Sequence, residues 1–216
     1  MPYRAASRAH ASVARDRTGG TLKRIALTLL MASLMVGFAA SFVIVEPSEA
    51  NYRVREQLAG LRFPNDAVGA TSVIEGTVSL NDDGTVGAGS LIVVDLASIA
   101  SDQPRRDGFV RNNTLQTSRF PTATFAPAVV EGLPGTLPST QPVDVVIRGT
   151  LTIRDVSFPV TWLGTASFDG GVVLLEAATT FTFDEADVTK PRVASVLSVA
   201  DDITLEVRLV LAPTEE

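Results

Sequence analysis

"VDVVIRGTLTI", residues Val143–Ile153, alternates along its length. Val143, Val145, Ile147, Leu151 and Ile153 share one parity, while Arg148, Thr150 and Thr152 take the other. Successive side chains of a strand point to opposite faces, so this period of two places the aliphatic set on one side and the polar set on the other. A strand with one dry and one wet face belongs to an antiparallel sheet packed on a single core.

The same pattern spreads outward from this stretch. "ITLEVRLVL" (203–211) aligns Ile203, Leu205, Val207, Leu209 and Leu211 on one face, with Thr204, Glu206 and Arg208 on the other. "TSVIEGTVSL" (71–80) runs into "NDDG", a strong turn signal, and "GSLIVVDL" (89–96) completes a hairpin. "TATFAPAVV" (122–130) and "SFPVTWLGTASF" (157–168) each carry a proline, which marks strand ends, edges or bulges. "DGG" (169–171) turns the chain before "VVLLEAATTFTF" (172–183), and "ANYRVREQL" (50–58) reads as a first strand. "LPGTLPSTQP" (133–142) is a loop by composition, and the helical interlude falls around residues 106–118. About eight strands with short links predict an all-β, antiparallel barrel or sandwich. An eight-stranded barrel either fills itself with side chains or holds one ligand, and the pattern leaves both open.

Composition removes several functions. The 216 residues contain no cysteine, so disulfides, thiolate metal sites and cysteine nucleophiles are excluded. The sole histidine is His10, which argues against a histidine-ligated metal or a Ser-His-Asp triad in the folded part. No metal or other cofactor is expected. Beyond residue 41 the chain has twelve basic and twenty-three acidic residues, a net of −11, unsuited to nucleic acid.

The N-terminal segment stands apart. Arg4, Arg8, Arg15, Arg17, Lys23 and Arg24 precede "IALTLLMASLMVGFAASFVIV", the uncharged run 25–45. About 20 apolar residues span a bilayer as a helix, and the basic flank stays in the cytoplasm. This gives a basic cytoplasmic segment (1–24), a transmembrane anchor or signal sequence (25–45) and an extracytoplasmic body (42–216), with room for the first strand to begin near residue 42. Length favours a retained anchor over a signal with a 7–15-residue core. Small-x-small sites at Ala39/Ser41 and Ser48/Ala50 keep cleavage open.

"RRDGFVRNN" (105–113) crowds three arginines and an aspartate between strands. In a helix, Asp107 and Arg111 share a face and form a local ion pair. Alternatively, the arginines meet an anionic head group, because the guanidinium fork donates two parallel hydrogen bonds to phosphate. "FDEADVTKPR" (183–192) lacks the glycine and distal glutamate of a calcium loop. "GTVGAGS" (84–90) lacks the G-K-[ST] of a P-loop, and Ser72 and Ser79 have no base partner.

Several of these segments, in order, resemble the YceI-like family. "RDGFVRNNTLQTSRFPTATF" is similar to that family's RD-x-H-L-R…F-F…yP-x-x-x-F segment, and "GTLTIRDVSFPVTW" to its G-x-L-T-I-R-G-V-T-x-P-V segment. "VEPSEANYRV" and "SVADDITLEVRLVL" resemble its opening and closing strands, so the likeness covers about residues 42–212. The resemblance implies a lipocalin-like, eight-stranded antiparallel barrel with a short helical excursion, preceded here by one N-terminal transmembrane helix. It implies an isoprenoid or other long-chain lipid held inside, outside the cytoplasmic membrane. Arg106, Asp107 and Arg111 would form the polar end, with Asp107 holding arginine geometry. Phe125, Val145, Ile147, Leu151 and Trp162 would line the apolar part.

This sequence also departs from the family. Phe109 stands where the family has histidine, no histidine precedes Ser48, and Leu115 and Gln116 replace paired aromatics. The usual N-R-x-D-F-G reads "TFDEAD", Thr182–Asp187. A depleted polar end weakens the case for a pyrophosphate and opens a neutral lipid. The expected function is lipid sequestration or carriage without enzymatic activity, at a membrane or, after cleavage, in the periplasm or medium. A homodimer is left open. The competing readings are an anchored interaction module with a side-chain-filled barrel, and acid–base chemistry at Asp107 or Asp184.

Overall fold

The computed structural model describes residues 40–81, 83–134, 139–192 and 196–214. Residues 1–24 and most of the apolar run lie outside them. Among the described residues no helix is long and apolar enough to cross a membrane.

The chain runs β1 (Ala40–Leu58), β2 (Asn65–Thr71), β3 (Ile74–Leu80), β4 (Leu91–Asp95), β5 (Ala100–Ser101), α1 (Pro104–Phe109), β6 (Thr122–Glu131), β7 (Val143–Ile153), β8 (Val156–Asp169), β9 (Val172–Thr182) and β10 (Val196–Pro213). Every pairing is antiparallel, and β10 returns to β1 to close the sheet. β2 and β3 both pair with β1 and act as one broken strand. β5 extends β4 in the same way, alongside β2. The ring therefore has eight staves in simple meander order, as the alternation predicts. Pairing of β10 with β1 closes the sheet on itself, as in other barrels.

β7 occupies the predicted span, and Val145, Ile147, Leu151 and Ile153 are all buried. In the "DGG" turn Gly170 and Gly171 have φ of +56° and +88°, a left-handed geometry that glycine adopts without a Cβ clash.

β1 corrects the sequence reading at the N-terminus. Residues 40–45, assigned to the membrane run, belong to the barrel: Phe42 pairs with Pro213 and with Val78, and Ile44 pairs with Leu211. A bulge between Val45 and Glu49 breaks the alternation and disguises the continuity. Ser48 bridges it, donating to the Val45 carbonyl at 2.7 Å and accepting the Val210 N–H at 3.0 Å.

The helical excursion sits between β5 and β6. Pro104 opens α1 at its first turn, where a missing N–H costs nothing. Val110–Thr114 continue as a π-helical turn, with Leu115 N–H bonded to the Val110 carbonyl at 2.8 Å.

Candidate functional site

The inward faces of the staves do not meet. They enclose a cavity of about 770 Å³, so the side-chain-filled barrel does not hold. Phe125, Val145, Ile147, Leu151 and Trp162 all line it, and Phe125 meets Trp162 edge to face at 5.8 Å between centroids. From β10, Ile203, Leu205, Val207, Leu209 and Leu211 contribute to the wall. Leu205 and Val207 point inward yet are only half-buried, because they border open volume rather than opposing side chains. The wall residues that reach the outer surface are Ala59, Gln103 and Arg105. All three lie at the α1 end, which places the mouth there.

The polar groups of the wall gather at the same end. Glu56 is 7% exposed on the inner face of β1. Its Oε1 accepts from Arg106 Nη2 at 2.8 Å and from Asn65 Nδ2 at 3.2 Å. The other arm of Arg106, Nη1, donates to Asp102 at 2.6 Å. Burial alone would lower the Arg106 pKa, but the hydrogen bond to Asp102 and the charge of Glu56 outweigh it and hold the guanidinium above its usual value.

Asp107 and Arg111 do not form the expected pair. Asp107 is buried behind the wall, where Oδ1 accepts the Ser101 N–H at 2.9 Å and the Ser101 hydroxyl at 2.6 Å. Arg111 donates to the Ile99 carbonyl at 2.8 Å. The reason is geometric: α1 ends at Phe109 and the wider π turn carries Arg111 off the face that Asp107 occupies. The i,i+4 ion pair of this excursion is Asp102–Arg106 instead. Of the three proposed polar residues, Arg106 lines the cavity, while Asp107 and Arg111 brace the excursion against β5 and the Ile99 turn. Asp184 is exposed in the β9–β10 connection, so neither carboxylate put forward for acid–base chemistry borders the cavity.

Four wall residues carry polar atoms with no hydrogen-bond partner among the described residues: the Asn51 side-chain oxygen, the Tyr52 and Thr114 hydroxyls and the Trp162 indole N–H. Buried polar atoms ordinarily find partners, so each of these is a polar group left unpaired in the wall. Tyr52 fits because Gly69, its pairing partner, has no side chain. A Cβ at Gly69 would lie 2.3 Å from Tyr52 Cε1. Burial pushes the Tyr52 pKa up to about 12; the charge of Arg106 opposes this and those of Asp107, Glu56 and Asp102 add to it. The phenol is thus a neutral donor throughout the physiological range.

Glu56, Tyr52 and Thr114 escaped the sequence reading. For the first two the signal was present: in "NYRVREQL" the inward parity of Val54 extends to Tyr52 and Glu56, which puts an acid on the dry face. Phe109 and Leu115, the departures noted in sequence, both line the cavity and make its α1 end more apolar.

The described residues form an eight-stranded meander barrel with an apolar cavity, open beside a helical excursion and flanked there by a short polar cluster. The chain belongs to the YceI-like domain family, whose pattern matches residues 43–211. No curated protein matches the chain. Among solved structures it is similar to a polyisoprenoid binding domain from Saccharophagus degradans implicated in plant cell wall breakdown, with 13% identity, 82% of this chain and 99% of that one covered, and a TM-score of 0.63. It is also similar to Burkholderia cenocepacia BcnA (19% identity, 76% and 95% covered, TM-score 0.55). The Campylobacter jejuni YCEI protein aligns at 16% identity over 74% and 91% of the chains, TM-score 0.57. At these identities the likeness concerns the fold.

Proposed function

We propose that this protein binds a long-chain lipid, of isoprenoid or similar type, with its tail inside the barrel and a neutral oxygen-bearing head at the α1 end. The observation that carries the reading is the apolar cavity of about 770 Å³ inside a closed barrel, within the size range of small-molecule sites. Each methylene moved from water into it contributes about 0.8 kcal/mol, so a tail supplies affinity without covalent chemistry. The polyisoprenoid-binding description of the Saccharophagus relative supports the choice of tail.

The head group follows from charge. Arg106 is already matched by Glu56 and Asp102, so it offers no surplus positive charge to a diphosphate. The Tyr52 hydroxyl, Thr114 hydroxyl and Trp162 N–H suit a hydroxyl or carbonyl oxygen. The role is binding, for sequestration or carriage, rather than catalysis.

The test is native mass spectrometry and organic extraction of protein purified gently from its own host. A stoichiometric prenyl or acyl lipid with a neutral head supports the reading. Protein that carries no lipid and takes up no prenyl alcohol or quinone contradicts it.

We also propose action outside the cytoplasmic membrane. With residues 40–45 in β1, the apolar run before the barrel shortens to 25–39, fifteen residues. That matches the core of an export signal better than a full span. The N-terminal sequence of the secreted or membrane-associated protein checks this.

A further inference from the structure

Beyond the cavity itself, and resting on the lipid-binding reading, we infer that the mouth of the barrel docks on an anionic lipid surface, so that the ligand passes between bilayer and cavity without crossing water. The docking element is a lip of exposed apolar side chains. Phe63 is 76% exposed, Leu61 51% and Leu197 67%, three of the six large apolar residues most exposed among the described residues. They come from two segments that meet. Leu58 at the end of β1 pairs with Val196 at the start of β10, and both line the cavity. Gln57 pairs with Ser198, next to Leu197, and its side-chain amide donates to the Leu61 carbonyl at 2.8 Å. Leu61 and Leu197 are therefore held on one rim, immediately outside the wall.

Charge selects the occupant. The body of the chain is strongly acidic, yet this rim carries Arg62 between Leu61 and Phe63, Arg105 at the mouth and Arg192 beside Pro191. All three are exposed and none has an ion-pair partner among the described residues. Three carboxylates of the adjoining segments are already engaged: Asp66 by Arg53 and Arg55, Asp102 by Arg106, Asp201 by Lys190. Apolar side chains interleaved with unpaired arginines are what an interface of acyl chains under anionic head groups accepts, each basic residue adding attraction near the surface. A second copy of this chain would instead bring like-charged arginines together.

The test is flotation of the full exported chain with vesicles of phosphatidylglycerol mixed into phosphatidylcholine, against vesicles of phosphatidylcholine alone. Binding to the anionic vesicles that falls with added salt is expected. Replacing Leu61, Phe63 and Leu197 together by Ser should lower partitioning by at least about tenfold, and Arg62→Gln by about fivefold. The same variants should load a prenyl alcohol from detergent as the wild type does. That arm separates the two readings: failure to load in every variant and the wild type sinks the cavity reading, while normal loading without vesicle binding overturns the docking alone. Vesicle binding unaffected by the triple substitution, or a concentration-dependent dimer abolished by it, also overturns the docking.

Discussion

Arg106 Nη2 lies 2.8 Å from Glu56 Oε1, joining the helical excursion to the inner face of the first stave across 50 residues of sequence. Both side chains are largely buried, at 16% and 8% exposure. The contact fixes α1 over one end of the barrel, beside the mouth of the cavity.

Removing one member of such a pair strands a buried charge. Arg106→Leu should therefore destabilise the protein by about 3–5 kcal/mol. The double replacement with Glu56→Leu should recover most of that loss, since neither charge then remains. Urea unfolding of the two single variants and the double variant reads the coupling directly.

Asp107 acts on Ser101 rather than on an arginine, so its contribution is structural. Asp107→Ala leaves the half-buried Ser101 N–H without its acceptor and should cost about 1 kcal/mol. Asp107→Asn keeps an acceptor oxygen and should cost less. Hydrogen exchange at the Ser101 amide would report the difference without reference to any ligand.

Tyr52 gives a pH signature. Its folded pKa of about 12 lies above the ordinary tyrosine value of 10.0, because burial penalises the phenolate. A raised pKa means the unfolded chain loses its proton first. This contribution to stability is complete below pH 10 and declines as pH rises from 10 towards 12. Ultraviolet titration of tyrosinate should show one late step that Tyr52→Phe removes. Only one other tyrosine, Tyr3, is present to titrate.

Val207 borders the cavity without filling it. Val207→Phe should fold normally, since the added ring enters open volume rather than a packed core. It should reduce co-purified lipid severalfold. Thermal unfolding and lipid extraction of the same preparation check both halves.

The staves with one large apolar side chain at every second position were legible in the sequence, and β7 coincides with its predicted span. β2 was not, because its inward residues are Ala67, Gly69 and Thr71. Small side chains there make room for the Tyr52 ring, and that removes the alternation a reader looks for. The start of β1 was hidden by the bulge at Val45–Glu49 and by the apolar run that leads into it. The five apolar wall residues came from the family resemblance, with strand parity behind Val145, Ile147 and Leu151. The polar end did not, since it depends on where α1 yields to a π turn and on Glu56, a partner 50 residues distant that no local pattern pairs with Arg106.

The central claim is that the barrel holds a lipid whose neutral head meets Tyr52 and Thr114. Native mass spectrometry of protein released gently from its host, run beside Tyr52→Phe, tests it most directly. A one-to-one complex with a prenyl or acyl lipid is expected, with weaker retention in the variant. A wild-type protein found at its bare chain mass, and unchanged after incubation with prenyl alcohols and quinones, would contradict it.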